Sequence, residues 1–280
     1  MTKVVNKLSV VLATHNEAEN LPRCLDSIKD LADEIIVVDG ESTDETVKIA
    51  KSYKAKVIKT TNKLNFHINK QMGLDAAKGE LVLQLDVDEV VDEKLARFIT
   101  YLKGSSQVKK IYNLKPASQR GKSKTQNNQP VAWWLKRKNL FLNTWLKKGG
   151  QYPDPVIRLY INGYARLPQK SVHEQMEVDG PVGWAKGHLL HYSNPTFADY
   201  LRKFNTYTSF TAQTWFNQGL KPSFTLCLGY YLWEPTKTFL SLYIRHKGFL
   251  DGKAGFIFAL MSGLHFPFAY LKLWELYEKN

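Results

Sequence analysis

The chain has 280 residues, 44% hydrophobic and 23% charged, enough for one large domain or one domain with a sizeable appendage, which excludes general disorder. Its two cysteines, Cys24 and Cys227, exclude both a disulfide framework and a cysteine-ligated metal cluster. The net charge of +13 is concentrated: 14 basic residues lie between Lys94 and Lys148, no acid falls between Glu93 and Asp154, and 25 basic face 26 acidic residues elsewhere. Such a block reads as a surface for phosphate groups on nucleic acid, anionic lipid or acidic glycan. Within it, 119–130 (QRGKSKTQNNQP) reads as a solvated loop, while Trp133, Trp134 and Trp145 argue for a folded end. Met1–Leu8 carries no apolar run of signal-peptide type, so a reducing cytoplasm is expected.

In chain order, Leu8–Ala13, Glu34–Val38, Lys56–Lys59 and Glu80–Leu85 are short apolar runs of buried-strand length. Leu21, Cys24, Leu25 and Ile28 between the first two have helical spacing, and Asn16 with Glu19 predicts a capping box at that helix's start. Ser42 and Glu45 predict another before Val47–Ala50. Alternating strands and helices imply a mostly parallel sheet, whose ligands bind beyond the carboxyl ends of the strands. That directs attention to Thr14–Glu17, Asp39–Asp44 and Asp86–Glu89. Further on, Val156–Tyr160 reads as a strand before an Asn162-Gly163 turn. Phe197–Gln218 reads as a helix, and 226–280 as aromatic, weakly charged and mostly helical. Ala254–Leu271 is an uncharged run of 18 residues, at the lower edge of membrane-spanning length, and a helix in the membrane interface is preferred to a span.

Asp86-Val87-Asp88 follows the apolar run LVLQL, and strand alternation predicts both carboxylates on one face. A divalent cation bridging to a diphosphate relieves their repulsion. Glu89 is expected to cap the following helix. Asp39 ends the second strand, where a carboxylate accepts from a base N–H or a ribose hydroxyl. No glycine-rich dinucleotide fingerprint and no P-loop is present, which disfavours those nucleotide folds.

Val10–Glu17 (VVLATHNE), Ile36–Thr46 (IVVDGESTDET) and Asp86-Val87-Asp88, in order and correctly spaced, resemble the family 2 glycosyltransferases. The resemblance implies a GT-A nucleotide-sugar fold: an α/β domain with a mostly parallel central sheet over 1–192, followed by a helical C-terminal membrane-associating region over 193–280. Later segments are similar to the subgroup that adds a β-linked sugar to the lipopolysaccharide inner core. These are Lys148–Asp154 with Arg158-Leu159-Tyr160, Val172-His173-Glu174 and Gly248–Phe256.

The family implies that Thr14, Asn16 and Glu17 line the nucleoside pocket, with Glu17 near the ribose, and that Asp39 reads the uracil. It puts Asn69 and Lys70 near the uridine and phosphates, and makes Asp86 and Asp88 the manganese or magnesium motif, with Asp88 the direct ligand. Gly40-Glu41 departs from the more usual Asp-Gly there, which weakens any role for Glu41. An inverting transfer needs a carboxylate to take the acceptor's proton. Glu174 is the first candidate base and Asp154 the second; His173 is a candidate for metal or phosphate binding, and His191 a further ligand. The implied partners are a UDP-sugar donor, a glycan or lipid-linked glycan acceptor and the anionic inner face of the cytoplasmic membrane. Transfer to a polyprenyl phosphate, a peptide or another surface polysaccharide stays open. A sugar-nucleotide pyrophosphorylase is disfavoured because Thr14–Glu17 lacks the glycine-rich loop such enzymes need. Nucleic-acid binding by the basic block ranks below these, since it leaves Asp39, Asp86 and Asp88 without a purpose.

Overall fold

The computed structural model describes residues 5–63, 65–114, 128–168 and 175–279. The chain divides into two compact units, 1–137 with 155–191, and 138–154 with 192–280.

The first unit is built on β1 (Leu8–Thr14), β2 (Glu34–Gly40), β3 (Lys56–Thr60) and β4 (Leu81–Leu85). Pairing runs β3-β2-β1-β4, and all three pairs are parallel. The order continues through β8 (Asp154–Ile161), β6 (Ala132–Phe141), β11 (Val182–Asn194) and β5 (Glu89–Val91). Here β8 runs antiparallel to β4, and β5 antiparallel to β11. The short β9 (Ala165–Arg166) and β10 (Glu177–Val178) form a separate antiparallel pair. The helices of this unit are α1 (Leu21–Asp26), α2 (Thr46–Ser52), α3 (Phe66–Asp75), α4 (Glu93–Lys103) and α5 (Ser106–Leu114).

The parallel strands are apolar on both faces because both faces are covered. Leu8, Val10, Leu12, Val37, Leu81 and Leu83 join Leu21, Leu25, Leu95 and Ile99 in one core. The alternate residues Val11, Ile36, Val38 and Val82 meet Leu74 of α3 on the other side. A methyl group added at Gly73 of α3 would lie 2.5 Å from Val11 Cγ1, so this helix reaches the sheet only because it has no side chain there.

Neither predicted capping box forms. Asn16 adopts a left-handed conformation (φ 54°), and α1 begins only at Leu21, with Pro22 in its first turn. The polar side chains instead join the two loops to each other. Asn16 N–H donates to Ser42 Oγ (2.9 Å), Thr43 N–H to Asn16 Oδ1 (2.8 Å) and Glu17 N–H to Thr46 Oγ1 (2.8 Å). The reason is tertiary: parallel neighbours bring both loops to one edge, where cross-loop partners outcompete local ones.

The second unit contains β7 (Thr144–Trp145), which pairs with the end of β6, and the helix Phe197–Asn217. A helical run over 224–245 follows, with α-helical Phe224–Leu228 and Glu234–Leu240 each continued by a π-helical turn, Gly229–Trp233 and Ser241–Arg245. A 3₁₀ turn, Gly248–Asp251, leads into the helix Gly252–Lys279. The segment Gly248–Lys279 is, by length and composition, apolar enough to cross a membrane.

Candidate active site

Strand register assembles the site. Thr14 stands opposite Asp39 across β1 and β2, and Leu12 opposite Leu85 across β1 and β4. Thr14, Asp39 and Asp86 therefore share the carboxyl edge of three adjacent parallel strands. The strand order reverses at β1, with β2 on one side and β4 on the other, and ligands of such sheets bind at that switch point. Asp39 is buried, with the Thr14 hydroxyl 3.4 Å from Oδ1 and the Ser42 N–H donating to Oδ2 at 3.2 Å. Asn20 donates to Glu17 Oε2 at 3.0 Å. Asn69 of α3 is buried and donates to the Thr61 carbonyl at 3.0 Å, while its Oδ1 has no hydrogen-bond partner among the described residues.

The sheet edge around Asp86 is densely charged. The Lys70 ammonium pairs with Asp86 Oδ1 and lies 4.6 Å from the centre of the Phe66 ring. Arg158, which the antiparallel register of β8 sets beside Gln84, donates to Gln84 Oε1 and to Asp86 Oδ2 (2.5 Å). Burial alone would push the Asp86 carboxyl up, but the Arg158 guanidinium and Lys70 ammonium hold it well below the usual carboxylate range. Conversely, burial pulls the Arg158 guanidinium down, and the Asp86, Glu89 and Asp88 carboxylates more than offset that and raise it. Burial, then Glu89, Asp88 and Asp86, push the Cys24 thiol well above its ordinary value, which makes it an inert core residue.

Two expectations about this segment are corrected. The strand ends at Leu85, so Asp86-Val87-Asp88 forms a turn and strand alternation does not apply to it. Glu89 does not cap a helix. It is fully buried, opens β5, accepts the Asp86 N–H at 3.0 Å and pairs with Arg137 at 3.4 Å and Arg158 at 3.7 Å. The cap of α4 is Asp92, which accepts the Leu95 N–H at 2.8 Å and also meets His188 Nδ1 at 2.9 Å.

Asp88, which Arg158 feels at longer range, has a histidine beside it. His191, opposite Glu89 in the β11–β5 ladder, brings Nε2 to 3.2 Å from Asp88 Oδ2. Both side chains remain partly open, at 17% and 21% exposure for His191 and Asp88. A carboxylate oxygen and an imidazole nitrogen are a fitting donor pair for a divalent cation, with diphosphate oxygens and water completing the shell. Charge balance agrees. Lys70, Arg137 and Arg158 already match Asp86, Asp88 and Glu89, so an entering diphosphate needs further positive charge. Among the described residues, no group of three or more His, Cys, Asp or Glu side chains is gathered to hold a metal without substrate.

The family model for Glycosyl transferase family 2 matches residues 9–166, more than half of the chain. The chain belongs to the family 2 glycosyltransferases. It is 29% identical over 288 residues to an uncharacterized glycosyltransferase of Rickettsia typhi, covering 98% of this chain and 88% of the relative. It is 26% identical over 289 residues to the lipopolysaccharide core biosynthesis glycosyltransferase LpsC of Rhizobium meliloti, covering 98% and 93%. Among solved structures, glucosyl-3-phosphoglycerate synthase of M. tuberculosis matches with 29% identity and a TM-score of 0.28, over 30% of this chain and 35% of that one. The chain thus spans about a third of that solved relative. The sheet of this glycosyltransferase has the expected GT-A architecture.

Of the residues expected to serve this glycosyltransferase, Thr14, Asn16, Glu17, Asp39, Asn69, Lys70, Asp86 and Asp88 all belong to the first unit. His173 and Glu174 lie outside the described residues. Asp154 belongs to the second unit, where Asn139 Nδ2 donates to its Oδ2 at 3.0 Å. Residue-level reasoning gave no role to Arg158, Arg137 or Gln84. Arg158 left a signal, a guanidinium inside the apolar strand Val156–Ile161, where burial demands a carboxylate partner.

Proposed function

We propose that this glycosyltransferase moves a hexose from a uridine diphosphate sugar onto a sugar of the lipopolysaccharide inner core, with inversion at the anomeric carbon. The observation that carries the reading is the Asp88–His191 pair, 3.2 Å apart, beside the Lys70–Asp86–Arg158 cluster at the switch point of the sheet. The likeness to LpsC over 98% of this chain and the basic surplus between Lys94 and Lys148 support the choice of an anionic, membrane-bound acceptor. In this reading residues 1–192 bind the donor, and 193–280 associate with the inner face of the cytoplasmic membrane.

In the proposed mechanism Asp39 accepts from the uracil N–H, and Thr14, Asn16 and Glu17 line the nucleoside, with Glu17 at the ribose. The partnerless Asn69 Oδ1 is an acceptor for the uridine. Lys70 and Arg158 face the diphosphate, held in place by Asp86. Asp88 and His191 would hold a divalent cation, manganese being preferred over magnesium by the imidazole nitrogen, and His173 would be a further contact to metal or phosphate. When bound, the cation supplies positive charge against the diphosphate as it departs. Glu174 takes the proton of the acceptor hydroxyl as it attacks, and Asp154 is the second candidate for that role.

Calorimetric titration of UDP, with and without manganese, tests the reading on the parent chain and on Asp88→Ala. Micromolar, manganese-dependent binding that Asp88→Ala abolishes is expected. A parent chain that does not bind UDP in manganese overturns it.

A further inference from the structure

We propose that the helical segment 224–250 of the second unit is a docking face for an anionic lipid bilayer, lying in the interface and not crossing it. This deepens the membrane-bound acceptor reading above and rests on it, taking 224–250 in place of Ala254–Leu271 as the segment that meets the lipid. The most apolar helix, Gly252–Lys279, has one packed face, which buries Ala254, Gly255, Ala259, Gly263, Ala269, Tyr270 and Leu273, while Phe256, Leu260, Phe268, Leu271 and Trp274 stay exposed. A methyl group on Gly263 would lie 2.7 Å from the Pro235 carbonyl oxygen, so the 224–245 run packs directly on this helix. Tyr230 packs on Tyr270 at 5.4 Å, and Phe239 and Tyr243 pack on Phe256 at 5.7 and 5.6 Å.

Among the described residues, nothing covers the opposite side of that run. Phe224, Leu228, Leu232, Leu240 and Ile244 are all exposed, Phe224 at 79% and Leu232 at 62%, and Trp233 beside them is at 66%. Their spacing is four residues, with exposed Thr236 filling the gap. In a pure α-helix of 3.6 residues per turn such a series drifts around the axis. The two π turns, Gly229–Trp233 and Ser241–Arg245, each take up an extra residue and bring the series back into a straight stripe. An apolar stripe this exposed marks an interaction surface.

Its charged margin chooses the occupant. Arg245, His246 and Lys247 end the stripe, all exposed, and exposed Lys253 follows. Lys147 and Lys148, the last residues of the basic block, join them, because their N–H groups donate to the Asp251 carboxylate at 2.8 to 3.1 Å. The Gly149 N–H also donates to the His246 carbonyl at 3.0 Å. Asp251 is the acid within this margin, and those N–H groups already engage it. An apolar stripe carrying Trp233 with a cationic edge fits a bilayer whose headgroups carry phosphate and net negative charge.

The test is co-sedimentation of the full chain with vesicles of phosphatidylcholine alone and with about a quarter phosphatidylglycerol. The parent is expected to bind the anionic vesicles only. Leu232→Ser/Leu240→Ser and Arg245→Gln/Lys247→Gln are each expected to weaken that binding roughly tenfold with an unchanged far-UV spectrum. Thr236→Asp, at an exposed position within the stripe, repeats the test without removing an apolar contact. A parent that ignores anionic vesicles, or stripe variants that bind like the parent, overturns the proposal. So does light scattering that shows a dimer lost in the stripe variants, since the occupant is then a second copy of the chain. UDP titration on the same samples separates the two readings: UDP binding without vesicle binding sinks only the docking face, and vesicle binding without UDP binding sinks only the donor assignment.

Discussion

Asp86 and Asp88 are two residues apart and do different work. Asp86 sits between two cations, so removing one leaves its carboxylate short of a partner, whereas Asp88 faces an imidazole; both carboxylates are partly open, at 26% and 21% exposure. Arg158→Leu leaves Asp86 with Lys70 alone and takes one of two arginines from buried Glu89. A loss of roughly 3–5 kcal/mol in urea unfolding is expected. Asp88→Ala creates no stranded buried charge, so its stability should stay within about 0.5 kcal/mol of the parent while UDP binding in manganese disappears. Equal destabilisation by the two substitutions, measured by the same unfolding curves, would refute this division of roles.

Single side chains at the level of elements decide how helices meet the sheet. Asp92 both caps α4 and pairs with His188; burial pushes its carboxyl up, and hydrogen bonds from His188 and Leu95 more than offset that and lower it. A carboxylate whose pKa is lower folded than unfolded stabilises the protein above its unfolded value of about 4, and that contribution is lost as the pH falls below it. Asp92→Ala should therefore cost about 0.5–2 kcal/mol at pH 7, with the gap to the parent narrowing as urea unfolding is repeated toward pH 3. Gly73→Ala sets two effects against each other. Helix propensity favours alanine by about 1 kcal/mol, but a methyl 2.5 Å from Val11 overpacks the core by about 1–3 kcal/mol. Overpacking should prevail, and because Lys70 lies one turn away, UDP affinity should fall together with the unfolding midpoint.

Across the whole molecule, charge separates two kinds of binding by their depth. The cations nearest the candidate donor site, Lys70 and Arg158, are largely withdrawn from solvent against acids, at 8% and 12% exposure. The lysines and arginine at the edge of the exposed stripe stand in solvent, where a Debye length of about 10 Å at 0.1 M salt shrinks to about 3 Å at 1 M. Raising salt across that range should release the protein from anionic vesicles, while UDP affinity in manganese changes by less than about threefold. A UDP affinity that falls in parallel with vesicle release would show that both depend on the same surface charge.

The sequence by itself determined the parallel half of the sheet and the positions of Asp39, Asp86 and Asp88 at its edge. Buried strands must be apolar runs, and polar residues directly after them have nowhere to point but the ligand edge. It likewise announced the family through motifs that each lie within a few consecutive residues. Only the tertiary structure decided that Asn16 and Ser42 link two loops, that Glu89 is a buried counter-ion, and that Arg158 and His191 complete the charged cluster. These are contacts between residues 26 to 103 positions apart, fixed by strand register, which no local spacing encodes. The same reason hid the exposed stripe. Hydropathy singled out Ala254–Leu271, but which apolar face is covered depends on what packs against it: the helix Gly252–Lys279 has a packed face, and Phe224, Leu232 and Trp233 of the 224–245 run stand more exposed than any of its large apolar side chains.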